Sequence, residues 1–208
     1  VFEAASREDA TTMRALRSAA GEDAWSDTAK AMIDKMGRAT AGQQNAAGDA
    51  WSFETFLTNY NRMPERIRKT AFGRIKGAGN LDESIDAIAR AAADIRKAQR
   101  ILPNPSGTAA AATNSTAAGL FVYSLLFNPK AAGLIGAGAA GANLGARLMT
   151  SPAFVRFLAA STRVPVERFP ALLGRLTDVA KADPENADAI GQFVDQFKAE
   201  NSPNTPRQ

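Results

Sequence analysis

Three groups of residues have the types and spacing that chemistry requires. Asp82, Glu83 and Asp86 place carboxylates within one helical turn, Asp82 and Asp86 at i and i+4. That spacing suits Mg²⁺ when further carboxylates or phosphate complete its shell. The same acids at the first turn of a long helix are also explained by the helix dipole, with no ligand. Gly136, Gly138 and Gly141 match the dinucleotide pattern G-x-G-x-x-G, whose glycines let backbone approach a pyrophosphate. No acid follows before Glu167 to hold a ribose, and the preceding segment is Ala/Gly-rich, not a Val/Ile strand. The match follows from composition, and no cofactor is expected. Arg62, Arg66, Arg68, Lys69, Arg74 and Lys76 form a basic cluster opposed by Glu65 alone, with Tyr60 and Phe72 interleaved. Such a cluster either contacts nucleic-acid phosphate or is the solvated face of a short helix.

Other chemistry is removed by composition. The 208 residues contain no histidine and no cysteine. Ser-His nucleophile pairs, thiolate catalysis, disulfides, iron–sulfur clusters and the usual zinc or haem sites are excluded. No Ser-Lys or Glu-Glu pair stands out as catalytic, so nothing supports an enzyme. The chain opens at Val1, which reads as a processed product or a piece of a longer polypeptide, and no basic and apolar leader follows.

The net charge of +4 conceals a strong asymmetry. Residues 1–94 carry 13 basic and 14 acidic side chains, and residues 167–208 carry five and seven. Between them, residues 95–166 carry seven basic side chains and no acid. This is also the most Gly/Ala-rich part of the chain.

Periodicity predicts an all-α chain of about eight to ten helices, with no segment of convincing period-two alternation. Ser6 is expected to cap a helix ending at Gly21, and a second helix runs from Glu22 to Met36 with Gly37 as its C′ residue. Residues 38–50 read as a loop. Ser52 caps a helix bearing Phe53, Phe56 and Tyr60, and Pro64 opens another that ends near Gly73. Leu81, Ile85, Ile88, Ala92, Ile95 and Leu102 trace the seam of the clearest helix, over residues 80–102. Residues 117–127 and 131–146 form a predicted helical hairpin around Asn128-Pro129-Lys130. Ser151-Pro152 starts a helix to about Ser161, Pro165 and Pro170 bracket the entry to one reaching Lys181, and Asp183-Pro184 opens the last, ending near Glu200. Four regions follow: a helical part with the aromatic and basic segments (1–102), the Gly/Ala-rich hairpin (103–149), C-terminal helices (150–200), and a tail (201–208) expected to be disordered in isolation.

Within the hairpin, Gly133, Ala137, Gly141 and Gly145 recur every fourth residue. A small-xxx-small face of this kind lets helix backbones approach closely, especially in lipid. Phe121 and Phe127 belong to the strongly apolar opposing segment. Neither arm reaches the roughly 20 apolar residues of a standard span. The pair reads as a buried hairpin, or as one that inserts conditionally, since Lys130 and Arg147 favour anionic lipid. The glycine face and the aromatic patch of Trp51, Phe53, Phe56 and Tyr60 are the expected subunit contacts of an oligomer.

Several phrases occur in a suggestive order: Ala24-Trp25, Lys35-Met36-Gly37, the stretch from Trp51 to Asn61 (WSFETFLTNYN), Arg68 to Gly73 (RKTAFG), Asn104 to Thr108 (NPSGT), and Ala146 to Ala159 (ARLMTSPAFVRFLA). Over about residues 15–160 the chain resembles the C-terminal helical part of internal virion proteins of tailed bacteriophages, the ejection or tape-measure-like proteins. The resemblance implies a non-enzymatic protein of the virion interior or tail, delivered to the host cell envelope. It implies self-assembly with other virion proteins into a conduit for double-stranded DNA, in contact with the host inner membrane. Two alternatives remain at this point: a membrane-active, pore-forming helical domain, and a tail or portal-associated structural protein without membrane contact.

Overall fold

The computed structural model describes residues 9–38, 51–76, 79–101, 144–165 and 168–201. Among them are eight helices and no sheet, as the periodicity predicts. They are α1 (Ala10–Gly37), α2 (Phe53–Arg62), α3 (Glu65–Phe72), α4 (Leu81–Ile101), α5 (Leu144–Thr150), α6 (Pro152–Ser161), α7 (Phe169–Ala182) and α8 (Ala187–Asn201). The expectations for Ser6, for the hairpin up to residue 143 and for the tail from residue 202 lie outside the described residues. So do Phe121, Phe127, Gly133, Ala137, Gly141 and the rest of the G-x-G-x-x-G match.

Helix α1 is two helices joined at a break. Its N-cap is Asp9, whose carboxylate accepts from the Thr11 and Thr12 amides at 3.1 and 2.9 Å. At Gly21 the backbone turns to φ 77°, ψ 171°. Nothing surrounds the place a Cβ would occupy there, so the conformation itself selects glycine. The expected helix end at Gly21 is thus a sharp kink. Beyond it, Trp25, Ala29, Met32, Ile33 and Met36 are buried at spacings of three and four. Before it, only Ala10 and Met13 are buried.

Gly37 corrects the sequence reading. It is the last helical residue, and the C-cap is Arg38 in extended conformation. Its role is clearance: a Cβ at position 37 would overlap the Trp51 indole. The Trp51 ring seated there closes the gap between α1 and α2. Ser52, Phe53, Phe56 and Tyr60 behave as their spacing predicts. The Ser52 hydroxyl accepts from the Thr55 amide at 3.3 Å, and the three aromatics turn inward.

Helix α4 buries the seam Leu81, Ile85, Ile88, Ala92 and Ile95. Helix α6 packs along it and α3 packs against its start. Ser151, fully buried, caps α6 by accepting from the Phe154 amide at 3.2 Å, with Pro152 in the first turn. Helices α7 and α8 pack on each other, α5 packs on α1, α6 and α8, and one apolar cluster runs from Ala10 to Phe193. Asp183-Pro184 corrects a second expectation. Residues 183–186 form a turn in which Asp183 accepts from the Asn186 amide and side chain, and the helix starts at Ala187. No described helix is long and apolar enough to cross a membrane.

Candidate functional site

The aromatic patch faces inward. Trp51, Phe53, Phe56 and Tyr60 are each 3% exposed or less. They form a ladder continued by Phe72, with successive centroids 5.8 to 6.4 Å apart. The subunit contact expected of them is therefore corrected, because the chain's own helices already cover them. The physical reason is the helical spacing of Phe53, Phe56 and Tyr60, which puts them on the inward stripe of α2, while Trp51, just before the helix, sets its ring against Gly37 and Ile33 of α1. Of the glycine face, Gly145 alone is described, and it is buried within α5.

The basic cluster does not form one free surface. Ile67, Ala71 and Phe72 pull one side of α3 into the core, which forces its cations outward and sideways. The Lys69 ammonium lies 2.6 Å from Glu65, and Lys76 lies 2.6 Å from Asp23. Each acid raises its lysine's pKa by hydrogen bonding first and charge second, and Lys69 likewise lowers that of Glu65. Arg68 is half-buried over the Tyr60 ring, 5.1 Å from its centroid, with Nε 3.7 Å from Asp86 Oδ1. Arg62 and Arg66 are exposed at the end of α2 and on α3. Arg74 is exposed on a turn where its own φ is +52°.

The acids at the start of α4 depart further from expectation. Asp86 accepts the Tyr60 hydroxyl at 2.9 Å, and that hydroxyl also lies 3.0 Å from the Asp82 carbonyl oxygen. Burial, then the Asp86 charge, push the Tyr60 phenol far above its ordinary pKa. The helix dipole accounts for Asp82 at the sequence level. In the fold it is only 6% exposed, and desolvation raises its pKa despite the amide of Glu83 nearby. Its Oδ1 has no hydrogen-bond partner, and neither has Arg68 Nε. An unsatisfied buried polar group costs about 1–3 kcal/mol, so two on one helix pair are an unusual concentration.

A cleft of about 460 Å³ opens at this point, lined by Arg17, Lys69, Gly73, Arg74, Asn80, Asp82 and Glu83. Its organiser is Arg17, which no sequence pattern singles out. The Arg17 guanidinium donates to the carbonyls of Thr70 at 2.7 Å and Arg74 at 2.9 Å. It thereby caps the C-terminal end of α3, where cations are favoured. Trp25 Nε1 donates to the neighbouring Ala71 carbonyl at 3.0 Å, and Arg17 lies 5.8 Å from the Trp25 ring centroid. Two backbone hydrogen bonds between Ile75 and Gly79, 2.8 and 2.9 Å, close the turn. On the other side of Arg17 a second cleft, about 330 Å³, is lined by Arg14, Ser18, Gly21 and Glu22. Among the described residues, no three or more acidic, histidine or cysteine side chains converge as a metal cage.

The combination at the end of α3 is thus three cations, two carboxylates and a carboxamide around one open cleft. Compared with known proteins, the chain matches no family model, no curated protein and no solved structure.

Proposed function

We propose that this chain is a non-enzymatic bacteriophage virion protein that oligomerises and helps form a conduit for genome ejection into the host. One observation carries the reading beside the family resemblance. Residues 95–166 hold seven cations and no carboxylate, and lie between segments of nearly balanced charge. The described flanks of that stretch are anchored in the helical body. Ile95 is buried on α4, α6 packs along α4, and α5 packs on α1 and α8. A segment of one sign, held at both ends by a helical scaffold, suits contact with polyanions such as duplex DNA.

In this reading the protein resides in the virion interior or tail, with other virion proteins and double-stranded DNA as partners, and meets the host envelope on delivery. Imaging the native assembly and counting copies tests it. The expected result is a multi-copy assembly that retains duplex DNA and releases it steeply as salt rises. A dilute monomer without DNA affinity defeats the reading. Dye release from anionic vesicles in the absence of any assembly would favour the pore-forming alternative instead.

A further inference from the structure

We propose that residues 10–20, the arm of α1 before Gly21, are a strap that swings about Gly21 between its docked, bent position and one in which α1 runs straight through residue 21. The inference stands on the hinge alone and goes beyond the conduit reading.

Packing does not dictate the bend. Ser18 to Ala24 are all exposed, and nothing lies within 4 Å of the place a Cβ would take at Gly21. An open cleft of about 330 Å³ lies beside it, lined by Arg14, Arg17, Ser18, Gly21 and Glu22. The chain is helical on both sides, through Ser18-Ala19-Ala20 and again through Glu22-Asp23-Ala24. Only the backbone of Gly21, at φ 77° and ψ 171°, interrupts α1. Glycine alone enters that region without strain.

Two grips on one short turn hold the bend instead. Four positions before the hinge, Arg17 donates to the carbonyls of Thr70 at 2.7 Å and Arg74 at 2.9 Å. Two positions after it, Asp23 accepts from the Lys76 ammonium at 2.6 Å. In a straight α-helix, positions 17 and 23 stand about 9 Å apart along the axis and face directions about 120° apart. The longer part of α1 is fixed in the core by Trp25, Ala29, Met32, Ile33 and Met36, so the arm is the part that moves. Straightening draws Arg17 off its carbonyls and away from the Trp25 ring, whose centroid lies 5.8 Å from the guanidinium. It also withdraws Met13 from its buried seat. The bent form is therefore the main state and the straight form the minor one. The swing uncovers the carbonyl end of α3 and the apolar ground under Met13 and Arg17.

The test is a spin-label distance in the full chain, which has no native cysteine to compete for the label. Ala15→Cys and Ala31→Cys place labels at exposed positions on either side of the hinge. In a straight helix these positions are about 24 Å apart, and the bend shortens the span. Labelled chains diluted with unlabelled ones keep the measurement within one copy, so it does not depend on assembly. The parent is expected to show the shorter distance. Arg17→Met raises the straight-to-bent ratio by about fivefold, through the lost hydrogen bonds. Gly21→Ala raises it by about tenfold, because alanine favours helix and avoids the bent backbone. Together they raise it by about fiftyfold, which makes the straight form a visible fraction even from a parent share of about 1%. A peak near the straight-helix distance in the double variant is the expected result. The bent distance persisting alone overturns the proposal. So does a broad distribution without that peak, since the arm would then fray and not swing. Either failure leaves the conduit reading standing, and a monomer that shows the peak leaves the strap standing.

Discussion

Tyr60 stands where two unlike regions of the molecule meet. Its ring belongs to the aromatic ladder that runs from Trp51 to Phe72, where rings pack at 5.8 to 6.4 Å and exposure is 3% or less. Its hydroxyl enters the polar seam of Asp82, Asp86 and Arg68, where two buried polar atoms lack partners beside an open cleft. The ladder satisfies each polar group it contains, as Trp51 Nε1 shows by donating to the Ile33 carbonyl at 3.4 Å. The seam does not. Regions that depart from full polar satisfaction while the rest of the fold observes it are where binding is usually found. The difference separates a part of the chain whose polar groups are satisfied from one where two buried polar atoms are not.

The contrast breaks most visibly from the dry side. Trp51→Ala removes the ring that fills the space between α1 and α2, and a loss of about 3–5 kcal/mol is expected in urea unfolding. Gly37→Ala attacks the same contact from the other direction. The new methyl must displace the indole, an overpacking cost of about 1–3 kcal/mol. A Gly37→Ala protein as stable as the parent would mean that the ladder shifts freely, and the distinction between a rigid and an unsatisfied region would fail. Ser151→Ala, at the start of α6 beside the Phe154–Phe193 ring contact, is expected to cost about 1 kcal/mol through loss of the α6 cap.

How far these regions can be read from sequence follows the same division. Helix α4 was legible because Leu81, Ile85, Ile88, Ala92 and Ile95 repeat at the helical period, and burial follows the repeat. Ser52, Ser151 and Pro152 carry their instructions in their own chemistry and did what caps and first-turn prolines do. The aromatic patch was legible as an apolar face, yet sequence does not say whether the covering surface is the same chain or another. Gly37 was misread because a glycine after a helix has two uses, backbone freedom and clearance, and only the position of Trp51 decides between them. The cleft was illegible altogether. Arg17 lies 53 positions from Thr70, and the burial that overrides the helix dipole at Asp82 arises only when α3 docks on α4.

Arg17 offers a sharper probe of the wet side. Arg17→Met keeps an apolar side chain of similar reach and removes the guanidinium, with both its donors to the carbonyls of Thr70 and Arg74 and its contact over the Trp25 ring. With those carbonyls partly exposed to water, the expected loss is about 1 kcal/mol. Amide exchange should accelerate at Ile75 and Gly79, while Phe56 and Leu57 on the ladder stay protected. Uniform acceleration across both regions would mean that the turn and the ladder open together as one unit.

The smallest effect has an unusual sign. Asp82→Asn is expected to stabilise the chain slightly at neutral pH, because desolvation makes the carboxylate charge unfavourable in the folded state. The direction of the raised pKa fixes the pH dependence. With a folded pKa above the unfolded value, the native state binds its proton more readily, so the parent gains stability as pH falls through the folded pKa toward the unfolded one. The asparagine variant has no such titration. Its advantage should therefore be full above the folded pKa and shrink on acidification, read as converging midpoints in denaturant melts of the two proteins. Should the variant instead be the weaker one at neutral pH, with the gap closing as the carboxylate protonates, Asp82 would be a stabilising anion at the α4 terminus, and the seam would be as well satisfied as the ladder.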